Sequence, residues 1–200
     1  PKQDLKVITK IFKEVRNFEP RSLREDFCGT FFASAEWVKR HPKNTALALD
    51  LDPEPLAYGE SVHFPKLKKN QQKRLKVLKQ NVLSKTSPVD LLFALNFSYN
   101  CLKSRSLLLK YFKNVYQSLN SRGVFMIDLM GGWEVMRPIV DRHETDWGKR
   151  KYTYIWRQKN FDPISHDAQF ASDFKGPDGR KQKDVFTYDW RIWMLPELRD

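Results

Sequence analysis

A chain of 200 residues with 40% apolar residues, 30% charged residues and a formal net charge of +12 has the length and composition of one folded domain, or one domain with a small appendage. No apolar run approaches the roughly 18 residues of a membrane-spanning helix and no signal-peptide pattern opens the chain, so no membrane contact is expected. The two cysteines, Cys28 and Cys101, and the four histidines form neither a disulfide framework nor a metal-ligand spacing, which points to a cytoplasmic protein with no bound metal.

Leu5, Ile8, Ile11, Phe12, Val15 and Phe18 share one face of a helix over residues 3–18, which Pro20 ends. Ser22 to Cys28 is short and extended and runs into a Gly-Thr turn, followed by a helix from Ala33 to Arg40. Thr45-Ala46-Leu47-Ala48-Leu49 is a continuous apolar run, as expected for a parallel strand covered on both faces. Asp52 as N-cap and Pro53 at the first position open a helix reaching about Phe64. A short strand is expected within Arg74 to Val82 and a buried strand over Val89 to Leu95. Residues 104–119 carry the clearest helical pattern, and Asn120-Ser121-Arg122-Gly123 reads as a turn into the strand Val124-Phe125-Met126-Ile127.

This order of a helix followed by strand–helix units predicts a doubly wound, mostly parallel α/β sheet with helices on both faces. After about residue 142 the pattern changes. Lys151–Gln158, Ala168–Phe174 and Val185–Trp193 read as strands, separated by Asp162-Pro163 and Gly176-Pro177-Asp178-Gly179, so a C-terminal antiparallel three-stranded meander is expected. The partition is 1–142 as core and 143–200 as meander or lid with the start of a closing helix, all within one domain. The chain starts at Pro1 without Met and stops just after a helix start at Leu195-Pro196-Glu197, so truncated ends are expected.

Much of the positive charge lies in one stretch that has no acid: Lys66, Lys68, Lys69, Lys73, Arg74, Lys76 and Lys79. A solvated loop and helix end is the plain explanation, and a phosphate-contacting patch is the alternative. The aromatic-rich meander, with alternation such as Tyr152, Tyr154 and Trp156, suits core packing, an apolar acceptor pocket or a homodimer face.

Ligands bind an open α/β sheet at the carboxyl ends of its strands. Here those ends carry Asp26–Thr30, Asp50, Asn81, Asn96–Tyr99 and Asp128. Gly29 permits close approach of a ligand to the first turn, and Asp50, about 20 residues further on, is placed to accept hydrogen bonds from a ribose diol. Cys28 reads as a small core residue, with no neighbouring base to activate it.

Asp26-Phe27-Cys28-Gly29-Thr30 resembles the first motif of class I S-adenosylmethionine-dependent methyltransferases, D-x-G-C-G-T-G. Ala48-Leu49-Asp50-Leu51-Asp52-Pro53-Glu54 is similar to the second motif, whose acid binds ribose. Gln80-Asn81-Val82 stands where the family holds adenine, Asp90 to Ser98 resembles the fourth strand and its loop, and Leu119 to Asp128 resembles the "L-x-P-G-G" turn and fifth strand. The resemblance covers residues 20–132. It implies S-adenosyl-L-methionine as cofactor, held by Asp26, Phe27, Cys28, Gly29, Thr30, Asp50, Leu51, Asn81, Val82, Asn96 and Phe97. Asn96 and Tyr99, in the loop after the fourth strand, are the candidates facing the transfer point, and Tyr99 either orients the methyl acceptor or is a packing aromatic.

The chain departs from the family where Phe27 and Phe31 replace glycines, and each ring either crowds the methionine end of the cofactor or points into the core. Glu25 and Asp26 both remain open as the first-motif acid. The family's last two strands and closing helix would follow Asp200. Asn96-Phe97-Ser98-Tyr99 is not the Asn/Asp-Pro-Pro-aromatic motif of enzymes that methylate nucleic-acid amines. The implied activity is methyl transfer to a small molecule. The alternatives are an RNA- or protein-directed methyltransferase that uses the 66–79 stretch, and a non-catalytic domain that retains the fold.

Overall fold

In the computed structural model, which describes residues 2–147 and 150–200, the chain groups into two compact units. One comprises Pro1–Ser98 and Ser106–Asp128, the other Tyr99–Arg105 and Leu129–Asp200.

The first unit is a five-stranded parallel sheet. In chain order its elements are α1 (Lys2–Arg16), β1 (Ser22–Asp26), α2 (Phe32–Arg40), β2 (Thr45–Asp50), α3 (Pro53–Val62), α4 (Lys69–Gln72), β3 (Leu75–Lys79), β4 (Val89–Ala94), α5 (Arg105–Gln117) and β5 (Leu119–Ile127). Its strand order is β3-β2-β1-β4-β5, so the winding direction reverses between β1 and β4. In open α/β sheets of this kind, ligands bind beyond the carboxyl ends of the strands at such a switch point. α1 stops at Arg16, earlier than its apolar pattern suggests, because Asn17 turns left-handed at φ 60°. Asp52 caps α3 as expected, accepting the Glu54 N–H at 3.0 Å.

Side chains alternate across β1, and the two faces differ in chemistry. Leu23 and Glu25 face α2, where Ala46, Ala48, Leu91 and Phe93 of the flanking strands join Leu5, Ile8 and Phe12 of α1 and Trp37 and Val38 of α2 in one core. Arg24 and Asp26 face α5 instead, and the Tyr111 hydroxyl donates to Asp26 Oδ2 at 2.9 Å. Helices therefore cover both faces of the sheet.

The expected turn at residues 120–123 lies inside β5. These residues bulge from the ladder between the pairs Val89–Leu119 and Leu91–Val124, opposite Asp90. Asn120 Nδ2 donates to Asp90 Oδ1 at 2.7 Å and holds the bulge.

The second unit corrects the expected three-stranded meander. It is a four-stranded antiparallel sheet in the order β6 (Ile139–Trp147), β7 (Arg150–Phe161), β8 (Asp167–Lys175), β9 (Lys181–Arg191), followed by the short α6 (Leu195–Arg199). β6 escaped sequence reading because Asp141-Arg142-His143-Glu144 shows no apolar alternation, and pairing with β7 is what makes it a strand. One face carries Trp156, Phe170, Tyr188 and Trp190, with ring centroids 4.6–6.2 Å apart. A buried Asp173 anchors the β8–β9 bulge by accepting from Arg157 (2.8 and 3.0 Å) and from the Asp184 N–H (2.9 Å), and Lys181 Nζ lies 2.9 Å away. These partners hold its carboxyl well below the usual carboxylate range. Segment 99–105 is fastened to this unit by Trp193, whose N–H donates to Asn100 Oδ1 (3.2 Å) and whose ring Nε1 donates to the Leu102 carbonyl (3.1 Å).

Gly59 of α3 is required by packing. A Cβ there would overlap Phe31 Cε1 and the Thr30 carbonyl oxygen. Gly59→Ala should therefore destabilise the protein by about 1–3 kcal/mol in urea denaturation, despite alanine's roughly 1 kcal/mol advantage in a helix. An unchanged or raised stability would contradict the packing of Phe31 against α3.

Candidate functional site

The first unit gathers the predicted residues at the carboxyl ends of β1, β2, β3 and β4. The turn after β1 has left-handed backbone at alternate residues: Phe27 (φ 54°), Gly29 (φ 52°) and Phe31 (φ 45°). A non-glycine residue costs about 1–2 kcal/mol in that region, so both phenylalanines need compensation. Phe31 is 0% exposed and lies in the core beside His63, at 6.4 Å between ring centroids. Phe27 packs edge-on against Tyr111 at 5.9 Å. Phe31 is thus a core residue, whereas Phe27 lies on the α5 side of the turn. Among the described residues, none apart from its chain neighbours stands within 4 Å of where a Cβ of Gly29 would be, so the space beside the turn is open.

Asp50 ties β2 to this turn. Its Oδ2 accepts the Gly29 N–H at 2.6 Å and its Oδ1 accepts the Asp52 N–H at 3.0 Å. Two carboxylate oxygens have about four acceptor positions, so each keeps a lone pair for another donor. Beside it Leu51 is 56% exposed, an apolar side chain left in the open at a strand end. Cys28 is buried, and burial pushes its thiol pKa up, with Glu25 and Asp50 adding to the effect, so it is an inert thiol.

The two candidate acids diverge. Asp26 is consumed by its own face: Arg24 donates to its Oδ1 from Nε (2.7 Å) and to its Oδ2 from a terminal nitrogen (3.2 Å). Burial raises its pKa above the ordinary 3.8, against the pull of Arg24 and of the Tyr111 hydroxyl. Glu25 turns the other way, and its Oε2 accepts both the N–H (2.8 Å) and the hydroxyl (2.5 Å) of Ser34 in α2. Glu25 is therefore the acid that organises the first helical turn after the motif.

Asn81 and Val82 follow β3. Asn81 Oδ1 accepts the Leu83 N–H at 2.9 Å, and Val82 is buried. After β4, Asn96 and Phe97 are both left-handed, at φ 58° each. Asp128, at the end of β5, holds this pair by accepting both their N–H groups at 2.7 and 2.8 Å. Burial raises the Asp128 pKa against these two bonds. Asn96 and Asp128 also line a cleft of about 620 Å³ that includes Val7 and Ile11 of α1. Tyr99 belongs to the second unit and is 0% exposed.

Sequence reading missed Arg24, Ser34, Tyr111 and Gly59. The one available signal was Arg24-Glu25-Asp26 itself, three charges within a strand flanked by apolar strands, which must find partners on both faces. The 66–79 stretch is not a uniform patch. Arg74 is structural, donating to the carbonyls of Val38, His41 and Asn44, while Lys76 and Lys79 lie exposed on the edge strand β3, where charge discourages strand addition.

No protein-family model and no curated protein matches the chain in sequence. Solved structures do match it in fold. The sugar N-methyltransferase KedS8 of Streptoalloteichus is 17% identical over 96% of this chain and 73% of its own, with a TM-score of 0.70. CalS10, an amino pentose methyltransferase of Micromonospora echinaspora, is 13% identical over 98% of this chain and 78% of its own, with a TM-score of 0.75. DesVI of Streptomyces venezuelae is 12% identical over 97% and 78%, with a TM-score of 0.76. The chain has the class I methyltransferase fold.

Burial outweighs the Ser34 hydrogen bonds at Glu25 and raises its pKa from the ordinary 4.5 to about 7. The fold thus favours the protonated acid. Its contribution is fully present below pH 4.5 and is lost as pH rises to about 7. The span is roughly 3 kcal/mol at most. Thermal melts of the ligand-free protein should show stability falling across that window, with a shallower fall in Glu25→Gln. Parallel profiles for the two proteins would remove Glu25 as the titrating group.

Proposed function

We propose that this chain is an S-adenosylmethionine-dependent methyltransferase whose acceptor is a small molecule. The observation that carries the proposal is the Asp50 carboxylate near the switch point, which grips the Gly29 N–H and keeps lone pairs to spare beside an open space. The cofactor fits these residues. The remaining lone pairs of Asp50 accept the ribose hydroxyls, exposed Leu51 packs on the adenine ring, and Asn81 and Val82 face the adenine edge. Phe27, Cys28, Gly29 and Thr30 shape the floor, and Asn96 and Phe97 border the methionine side. Asp26 acts from beneath, through its ion pair with Arg24.

When bound, S-adenosylmethionine supplies a methyl group already activated by its sulfonium. The protein's work is then to align the acceptor and exclude water. A neutral amine needs no general base for the transfer itself. This agrees with KedS8, a sugar N-methyltransferase, and with CalS10, an amino pentose methyltransferase. An amine on a small molecule such as an amino sugar is therefore the first acceptor to test.

Calorimetric titration with S-adenosylhomocysteine should give saturable binding, weakened at least tenfold in Asp50→Ala, as expected for hydrogen bonds to a charged acceptor worth about 1.5–3 kcal/mol. No binding by the unaltered protein would refute the proposal, and an unchanged affinity in the variant would remove Asp50 from the site. For Tyr99, complete burial favours a packing role. Tyr99→Phe should keep kcat within about twofold, while a tenfold fall with unchanged cofactor affinity would return its hydroxyl to the acceptor, since each tenfold corresponds to about 1.4 kcal/mol.

A further inference from the structure

We infer that Arg24 is the positioning residue for adenine recognition, through its grip on the loop that follows β3. The inference rests on the methyltransferase reading above and adds to it a residue with no direct contact to the cofactor.

Arg24 is 0% exposed, inside a parallel strand. Beyond its bidentate pair with Asp26, its guanidinium donates to the carbonyls of Val82 (2.7 Å) and Ser84 (3.2 Å) and to the hydroxyls of Thr86 (3.0 Å) and Ser118 (3.1 Å). The intervening Leu83 carbonyl is held by the side-chain amide of Asn114 from α5, and the Asn81 carbonyl accepts the Ser84 N–H at 2.9 Å. Every carbonyl from Asn81 to Ser84 therefore has a donor.

Peptide planarity converts these bonds into the direction of the donors. A carbonyl and the following N–H point opposite ways across one plane. With the Val82 carbonyl drawn toward Arg24, the Leu83 N–H is turned the other way, where Asn81 Oδ1 accepts it at 2.9 Å. That bond sets which way the Asn81 amide faces, and its Oδ1 retains a second lone pair. With the Asn81 carbonyl held by Ser84, the Val82 N–H is turned away from it, and it has no hydrogen-bond partner among the described residues. The loop thus presents one fixed acceptor and one fixed donor in adjacent residues. Adenine carries the complement, an amino group beside a ring nitrogen acceptor. Hypoxanthine reverses both, with a carbonyl oxygen beside a protonated ring nitrogen.

The test is the ratio of affinities for S-adenosylhomocysteine and S-inosylhomocysteine, measured by calorimetry with the whole chain. The unaltered protein should prefer the adenine ligand strongly. Arg24→Lys keeps a charge opposite Asp26 but has no fork to span the Val82 and Ser84 carbonyls, so the ratio should fall roughly tenfold, about 1.4 kcal/mol. Should that variant fail to fold, Arg24→Met combined with Asp26→Asn removes the pair without stranding a buried charge, and the same fall is expected. A folded variant that keeps the ratio within twofold, however much its melting temperature drops, would make Arg24 purely structural and overturn the inference. An unaltered protein that binds both ligands equally would overturn it and leave the methyltransferase reading standing. Binding of neither ligand would overturn both.

Discussion

A guanidinium buried inside a strand is the constraint on which the first unit depends. Desolvating Arg24 and Asp26 carries a penalty of several kcal/mol per ion, and only close pairing with further hydrogen bonds offsets it. The acceptors that meet this demand come from β1 itself, from the loop after β3 and from Ser118 at the end of α5. Satisfying one side chain thus brings into register segments that are about 60 to 94 residues apart in sequence. Glu25 does the corresponding work on the opposite face, where it organises the start of α2 through Ser34. β1 is therefore less an apolar strand than a polar rod clamped from both sides. The turn at its end inherits that rigidity.

Rigidity matters there because the turn is strained. Three residues of 27–31 are left-handed, and two of them are phenylalanines. Burial of Phe31 between the core and the cleared surface of Gly59 offsets the backbone penalty at one, and the Tyr111 ring supports the other. The loop after β4 repeats the arrangement on a smaller scale, with Asn96 and Phe97 held left-handed by the Asp128 carboxylate. At both sides of the switch point, then, an unusual backbone is held by side-chain contacts: Phe31 and Tyr111 at the first turn and the half-buried Asp128 at the second. On the proposed reading, a turn held in this way leaves less of the binding energy to be spent on ordering it.

Much of this was legible in the sequence, for definite reasons. The apolar runs at Thr45–Leu49 and Val89–Leu95 marked covered parallel strands, and Asp52-Pro53 marked the start of α3, because these signals are local. Asp50 could be placed from its spacing to Gly29. The choice between Glu25 and Asp26 could not, since it turns on which face of β1 each occupies and on what waits there, Ser34 or Arg24. The fates of Phe27 and Phe31 depended on Tyr111 and Gly59, both distant in sequence. β6 was invisible because its polar sequence becomes a strand only against β7. The bulge at residues 120–123 reads as a turn in isolation, and only the pairing of β4 with β5 shows it inside a strand.

The proposed binding of an adenosyl ligand beyond the ends of β1 and β4, with its ribose on Asp50 at the end of β2, is tested most directly by a crystal structure grown with S-adenosylhomocysteine. Electron density should show the ribose diol on the Asp50 carboxylate, the adenine against Leu51 with its edge on Asn81 and Val82, and the backbone at residues 27–31 unchanged. A ligand bound elsewhere, or density at the end of β1 with Asp50 turned away from the ribose, would contradict the account.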